Sequence, residues 1–377
     1  MKYLICVVTY NRLKSLERLI MSLVEAEYSK DNTYDLWISI DHSAVEEDIV
    51  EQSERVDWGY GEKKIITYHE NMGLKKHMLK CISYVKNYDG IFLFEDDLLV
   101  GKDFSSFIDQ TVSLNDDLVG GTALYSYTVN EFANFAPFRP YKGIYDVYLM
   151  MVPCSWGEFW TKKQALDFLA WIEADKKVSY DKLPYPVRSW GDKSWKILFY
   201  WYLIEKRKYI IYPYFAYCTN MGEAGVHNVS TSNFMQSYLV ETIGKVRVPD
   251  KSSELVMYNH YMESVTLDDL FKDTTIDIYG VRRLDELDTR YLLTTKILNC
   301  DIKKSWNFGV TPYELSIYKN IQGKGIYLYD LFVKNNHKKS KYNVFLSYIP
   351  YNRGLWFGHI MMILKSMRNS IINLLKK

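Results

Sequence analysis

The sequence predicts an α/β fold with a mostly parallel sheet flanked by helices. Short apolar runs, such as residues 3–10 and 91–94, are typical of strands buried on both faces. Between them lie segments with helical spacing of apolar residues, beginning with residues 13–25. The chain has 377 residues, of which 48% are hydrophobic and 25% charged, so it is long enough to bury a large core.

The alternation of strand and helix continues through the first two thirds of the chain, as parallel α/β sheets require. The predicted strands cover residues 3–10, 36–40, 64–68, 91–94, 120–127 and 210–213. The predicted helices cover residues 13–25, 74–86, 162–173 and 193–204. Helical spacing at 267–271 and 283–298 predicts a helical C-terminal extension. We therefore divide the chain into a domain at 1–245, a mostly helical region at 246–353 and a helix at 354–377.

Polar side chains follow each of the first four predicted strands. They occupy residues 9–12, 41–43, 71–73 and 95–97. The carboxyl ends of parallel strands lie along one edge of a sheet, where α/β proteins bind ligands. The sequence therefore predicts a nucleotide-binding crevice at this edge.

The most acidic of these strand ends is Glu95-Asp96-Asp97. Three neighbouring carboxylates repel one another and resist desolvation, so we expect a positive group beside them. Mn²⁺ or Mg²⁺ suits this place, because such ions take few protein carboxylates and complete their shell with water and phosphate oxygens. The alternative is a strand-to-loop junction with solvated acids.

These motifs together carry a family resemblance. Residues 7–12 (Val-Val-Thr-Tyr-Asn-Arg), Asp41 and the acidic triplet, in this order, resemble a GT-A glycosyltransferase of the family-2 type. The triplet in place of a plain DxD motif, and residues 39–43, are most similar to the N-acetylglucosaminyltransferase I group. The resemblance covers about residues 3–235. It implies a Rossmann-like nucleotide-binding sheet and a UDP-sugar donor, with UDP-N-acetylglucosamine or a close relative favoured.

The resemblance also implies roles for single residues. Asp97 would be the direct metal ligand. Asp41 would hydrogen-bond the base, although an aspartate after a strand is also a common turn former. The residues expected to contact the nucleotide or donor sugar are Thr9, Tyr10, Arg12, Asp41, Glu95, Asp96, Glu158 and His227.

His227 belongs to a polar, glycine-rich segment at 221–230 that resembles the family's loop over the diphosphate. A single histidine in a loop is equally well an ordinary surface residue. Trp156 and Trp160 lie in a segment that resembles the family's aromatic turn under the donor sugar. These two tryptophans, with Trp190, are expected on the acceptor side, and core packing is the alternative for Trp156 and Trp160.

Asp192 is the candidate catalytic base. An inverting transferase needs a carboxylate to take the proton from the attacking hydroxyl. Trp190, Gly191 and Trp195 surround Asp192 in the sequence, and the family places its base in a similar turn that opens a helix. Gly191 departs from the family, which often carries another acid there. The alternative role for Asp192 is a helix N-cap, which is compatible with catalysis.

The C-terminal stretch is basic and amphipathic. From Lys334 onward the sequence has nine basic residues and no acid. The pattern of residues 354–377 predicts a helix that lies on an anionic membrane surface, and packing on the protein body is the alternative.

We find no signal peptide and no apolar run of membrane-spanning length. The five scattered cysteines favour a reducing cytosol.

The sequence thus predicts an inverting, metal-dependent glycosyltransferase at the inner face of a bacterial membrane. Its acceptor would be a glycan or lipid-linked oligosaccharide in surface-polysaccharide synthesis, and no nucleic acid is expected as a partner. Two alternatives remain. One is a carbohydrate- or membrane-binding adaptor on the same fold. The other is a sugar-nucleotide nucleotidyltransferase, which needs a glycine-rich phosphate loop that residues 10–14 do not provide.

Overall fold

A computed structural model describes residues 1–133, 136–175, 177–223, 233, 235–242 and 244–335. The chain forms two compact units, Met1–Val265 and Thr266–Lys377. The predicted boundary at residue 245 falls inside the first unit, because a strand at Met257–Tyr258 still pairs with the main sheet. His227 and the helix predicted at 354–377 lie outside the described residues.

The first unit alternates strands and helices in its first half, as predicted. Its strands are β1 (Lys2–Thr9), β2 (Thr33–Ile40), β3 (Lys63–Thr67), β4 (Gly90–Glu95), β5 (Leu98–Val100), β6 (Val119–Ala123), β7 (Val129–Asn130), β8 (Ala136–Pro137), β9 (Val147–Met150), β10 (Glu158–Thr161), β11 (Tyr209–Pro213), β12 (Cys218–Asn220) and β13 (Met257–Tyr258). Its helices are α1 (Leu13–Val24), α2 (Glu46–Glu54), α3 (Gly73–Ile82), α4 (Phe104–Thr111), α5 (Lys162–Glu173), α6 (Tyr185–Arg188) and α7 (Trp195–Lys206).

The main sheet confirms the predicted fold class. Its strand order is β13-β9-β11-β6-β10-β4-β1-β2-β3. Strands β1 to β4 are mutually parallel, and β10 runs antiparallel between β4 and β6. Two small ribbons, β5 with β12 and β7 with β8, complete the strands of this unit in the described residues.

Helices pack on the sheet through apolar faces set by their sequence spacing. In α1, Leu16, Leu19 and Leu23 are buried at intervals of three and four residues. Each such leucine contributes about 2 kcal/mol through its burial. Helix α5 begins with a capping box, in which Thr161 and Gln164 each satisfy the other's backbone amide. Tyrosine rings such as Tyr3 and Tyr34 fill the core, which explains part of the high tyrosine content.

Asp35, a buried carboxylate near the start of β2, stabilises the end of the sheet opposite the carboxyl ends of the strands. Its oxygens accept hydrogen bonds from the Tyr88 hydroxyl (2.8 Å) and the Glu62 amide (2.9 Å), and Lys2 forms an ion pair at 2.7 Å. Burial raises the pKa of Asp35, but the Lys2, Glu62 and Tyr88 hydrogen bonds outweigh it and lower the pKa below its usual value. The ionised carboxylate therefore stabilises the fold.

We expect Asp35→Asn to lower the free energy of unfolding by about 2 kcal/mol at pH 7. Because the folded pKa is depressed, this contribution is present above the unfolded pKa and is lost as pH falls through the folded value. Urea denaturation of wild type and variant at pH 7 and below pH 3.5 tests this. Lys2→Met, which removes the half-exposed partner, is the control and should cost less than about 1 kcal/mol. Equal losses at both pH values would contradict the role assigned to the charge.

The second unit corrects the prediction of a mostly helical region. After α8 (Val265–Leu270), which begins at the unit boundary, it contains β14 (Thr274–Asp277), β15 (Tyr291–Thr294), β16 (Cys300–Asn307), α9 (Tyr313–Tyr318) and β17 (Gly325–Lys334). The four strands form one sheet in the order β14-β15-β17-β16. The helix predicted at 283–298 is wrong, because Leu292 and Leu293 are buried within β15, which pairs with β17. No helix in the described ranges is long and apolar enough to cross a membrane.

Candidate active site

The predicted strand ends meet at one edge of the main sheet. The register pairs Val8 with Glu95 between β1 and β4, and Thr9 with Ile40 between β1 and β2. Asp41 follows Ile40 directly, so Thr9, Asp41 and Glu95 lie at neighbouring strand ends. The edge is shared because β1 to β4 are parallel, which confirms the expectation drawn from the sequence.

The acidic turn between β4 and β5 is partly neutralised by Arg12, which lies between β1 and α1. Arg12 forms ion pairs with both Asp96 and Asp97, and its contact with Asp97 Oδ2 measures 2.9 Å. The Thr9 hydroxyl donates to Asp96 Oδ2 at 2.7 Å. Both aspartates are buried. The positive group that the sequence requires beside the three acids is therefore supplied, at least in part, by the chain itself.

One carboxylate oxygen of the turn is still without a hydrogen-bond partner in the described part of the chain. Asp97 Oδ1 is buried and has no hydrogen-bond partner among the described residues. Burial, with the charges of Asp97 and Asp96, raises the pKa of Glu95 to about 8, although Arg12 and Lys196 oppose this shift. A bound cation would lower that pKa and partner the free oxygen.

These observations fit a divalent cation with few protein ligands. Within the described ranges, no three side chains of His, Cys, Asp or Glu converge as a metal site. Asp97, whose Oδ1 has no partner among the described residues, is the side chain that could hold Mn²⁺ or Mg²⁺, and water or phosphate would supply the rest of the shell. The Met221 amide donates to the Asp97 carbonyl at 2.9 Å and fixes the backbone there.

Asp41 has a structural role in addition to its predicted contact with the base. Its carboxylate accepts hydrogen bonds from the backbone amides of His42 (3.0 Å), Met72 (2.8 Å) and Gly73 (3.0 Å). Gly73 has a φ of +73°, which glycine adopts without strain. Asp41 thus connects the end of β2 to the start of α3, in keeping with the turn-forming alternative. Tyr10, the neighbouring predicted contact, has an exposed ring.

Strand β10 buries two predicted site residues, Glu158, which pairs with Leu93 on β4, and Trp160. Glu158 is 2% exposed, and neither of its oxygens has a well-formed hydrogen bond among the described residues. Burial raises its pKa well above the usual value, which Lys196 and the Cys154 amide partly oppose. Trp160 is fully buried and packs 4.5 Å from the ring of Phe199. The acceptor-side role of Trp160 is therefore wrong, and the core alternative holds.

The other two predicted tryptophans flank a residue that sequence reasoning missed. Trp156 and Trp190 are half-buried, and the Lys196 ammonium lies 5.2 Å and 4.9 Å from their ring centres. Lys196 is on the first turn of α7. In the sequence, the signal for this role of Lys196 was its position six residues after Trp190. Only the tertiary structure brings Trp156 to the same place.

Asp192 lies in the loop before α7 and is exposed. The Tyr180 hydroxyl donates to its carboxylate, and the Lys75 ammonium donates to its carbonyl at 2.8 Å. Since Lys75 belongs to α3, this contact places the loop beside the helix that follows β3. The N-cap alternative is wrong, because α7 begins after Ser194 rather than after Asp192.

Comparisons with known proteins give distant structural similarity. No protein-family model matches the sequence, and no curated protein matches it. The Staphylococcus aureus protein TarS (residues 1–349) in complex with UDP-GlcNAc is 15% identical, with a TM-score of 0.39, and the match covers 62% of each chain. GalNAc-T7 with UDP, GalNAc and Mn²⁺ is 11% identical over 57% of this chain and 42% of that one, with a TM-score of 0.38. A Pyrobaculum calidifontis mannosyltransferase with GDP-Man and Mn²⁺ is 13% identical over 45% and 46%, with a TM-score of 0.32.

Proposed function

We propose that the chain is an inverting, divalent-metal-dependent glycosyltransferase that uses a UDP-sugar, with UDP-N-acetylglucosamine or a relative favoured. The observation that carries the proposal is the buried acidic turn at the carboxyl edge of a parallel sheet, where Asp97 keeps one oxygen unpartnered. Nucleotides bind at such edges in open α/β sheets. A buried carboxylate oxygen without a partner is costly unless a cation or donor completes it.

Each residue at the edge has a distinct part in this proposal. Asp97 holds Mn²⁺ or Mg²⁺, which when bound neutralises charge on the departing diphosphate. Thr9 and Arg12 keep Asp96 and Asp97 in place, and Arg12 also carries positive charge to the nucleotide side. Asp192 accepts the proton of the attacking hydroxyl. Tyr180, which donates to Asp192, fixes the direction of that carboxylate.

The biological setting remains a prediction from the sequence. The acceptor would be a glycan or lipid-linked oligosaccharide of a bacterial surface polysaccharide, and residues 354–377 would hold the enzyme at the inner face of the membrane. Glu158, Glu95 and Asp96 would contact the donor. The burial of Glu158 beside β4 supports the first of these contacts, since its oxygens lack well-formed partners.

A non-catalytic binding protein on the same fold is the second candidate. Arg12 already pairs with two of the three acids, as expected for a site that no longer binds metal.

Slow hydrolysis of the donor separates the two candidates, because water replaces an unknown acceptor. Wild type and Asp97→Asn would be incubated with UDP-, GDP- and dTDP-sugars in Mn²⁺, Mg²⁺ or EDTA. We expect one UDP-sugar to be cleaved by wild type only, and only with metal. If no nucleotide sugar is bound or cleaved, the transferase function is rejected and the binding protein is favoured.

Removing Arg12 should strengthen metal binding. Its guanidinium is 2.9 Å from Asp97 Oδ2 and repels a cation bound at the other oxygen of that carboxylate. We expect Arg12→Gln to bind Mn²⁺ about tenfold more tightly in the absence of nucleotide, measured by electron paramagnetic resonance of the free ion. Arg18→Gln, which removes the same charge where it pairs with Glu223, is the control. Unchanged or weaker binding in Arg12→Gln would reject a metal at Asp97.

A further inference from the structure

The Lys196 ammonium has hydrogen-bonding capacity that the protein does not use. Its side chain is 12% exposed, so most of its hydration is lost. No hydrogen bond to the ammonium is formed within the described part of the chain, and the nearest carboxylate oxygen, on Glu131, is 3.7 Å away. An ammonium has three donors, and the ion pair with Glu131 at 3.7 Å and the two indole rings near it leave these donors without a hydrogen bond among the residues described. This arrangement suggests that a ligand completes the set.

Two indole rings flank the ammonium. The ring of Trp156 contacts that of Tyr125, with centroids 4.8 Å apart at a steep angle, and the ring of Trp190 contacts that of Tyr200 at 6.2 Å. Both indoles remain half-buried rather than buried, so part of each ring is accessible. Fixed aromatic faces beside polar donors are suited to a sugar ring, whose CH groups pack on the aromatic face while its hydroxyls form hydrogen bonds.

The charge at this place is balanced. Glu131 is 14% exposed, and Tyr127 donates to it at 3.1 Å, which leaves oxygen capacity for a second donor. The Glu158 carboxyl, 2% exposed and without a well-formed partner, is close enough to interact electrostatically with Lys196. Lys196 and Glu131 together present donors and acceptors without a net charge, which fits a neutral ligand better than an anion.

We propose that Trp156, Trp190, Lys196 and Glu131 form a subsite for a neutral acceptor sugar ring, with Lys196 donating to ring hydroxyls and Glu131 accepting from them. The inference rests on the proposed transferase function and specifies the acceptor class. Asp192 lies in the loop between Trp190 and α7, so a sugar bound here would be near the candidate base. Lys196 is then a binding residue that selects the acceptor.

The test measures sugar binding without any donor. Saturation-transfer NMR and tryptophan fluorescence would follow the titration of methyl glucoside, galactoside, mannoside, N-acetylglucosaminide and glucuronide into the full chain. A ligand of this size is expected to bind with a Kd on the order of millimolar. The variants are Lys196→Met, which keeps the aliphatic length, Lys196→Arg, which keeps the charge, and Glu131→Gln. Lys193→Met removes a charge from an exposed position three residues earlier and is the matched control.

We expect at least one neutral glycoside to bind wild type and Lys193→Met equally. Lys196→Met should weaken this binding about tenfold, Glu131→Gln should weaken it less, and Lys196→Arg should retain part of it. Unchanged binding in both Lys196 variants would overturn the proposal, as would binding of glucuronide alone or of no glycoside at all. Because no UDP-sugar is present, these results are independent of donor hydrolysis, whose failure would reject the transferase function instead.

Discussion

Replacing Asp97 with asparagine is expected to abolish the metal-dependent part of donor binding and to lower donor hydrolysis at least about a hundredfold. The substitution keeps the shape of the side chain but removes the charge that a divalent cation needs. Arg12 would still pair with Asp96, so the turn keeps its main internal contact. Calorimetry of UDP binding with Mn²⁺ and with EDTA should therefore give the same weak affinity for the variant, but different affinities for wild type.

Asp57→Asn is the control for this experiment, because Asp57 is exposed in the loop between α2 and β3, away from the carboxyl edge of the sheet. It should behave as wild type in both titrations. Normal UDP affinity of Asp97→Asn in Mn²⁺ would show that Asp97 is not the metal ligand. A thermal melt of each variant would separate loss of binding from loss of folding.

The sheet could be predicted because its strands carry their own signal. Residues 3–8 and 91–94 are continuous apolar runs, since a strand covered by helices on both faces buries every side chain. The position of the polar strand ends then followed from the parallel topology alone. This reasoning located residues 9–12 and the acidic turn, whereas the roles expected of Thr9 and Arg12 came from the family resemblance.

The same burial on both faces explains the error at Trp160. In a strand with one solvent-exposed face, one of Phe159 and Trp160 would point to solvent and the other to the core. In β10 both are fully buried, because neighbouring strands and helices enclose it. Sequence alone could not separate Trp160 from Trp156, which precedes the strand and keeps part of its ring accessible.

The second unit was mispredicted because its structure depends on distant pairing. Leu292 and Leu293 fit helical spacing as well as a short strand, and the choice depends on β17, which follows much later in the chain. Short apolar runs do not contain that information. Lys196 was missed for a related reason, since the sequence cannot show that Trp156 and Trp190 approach the same side chain.

Replacing Asp192 with asparagine should have a large effect on kcat without the loss of donor binding expected for Asp97→Asn. If Asp192 takes the proton from the attacking nucleophile, which is water in donor hydrolysis, Asp192→Asn cannot accept it, and kcat for donor hydrolysis should fall about a hundredfold or more. The residue is exposed and lies in a loop, so folding should be little affected. Affinity for UDP in Mn²⁺ should remain that of wild type, because the proposed metal and nucleotide contacts are at β1 and β4.

The split between kcat and affinity therefore distinguishes a base from a residue that merely shapes the site. Asp181→Asn, at an exposed position beside Tyr180, is the matched control and should keep both values. Tyr180→Phe removes the hydrogen bond to the Asp192 carboxylate while leaving the base in place, so it should lower kcat by a smaller factor. If Asp192→Asn instead weakens UDP binding and leaves kcat unchanged, then Asp192 acts on the donor, and the group that accepts the proton must be sought elsewhere along this edge of the sheet.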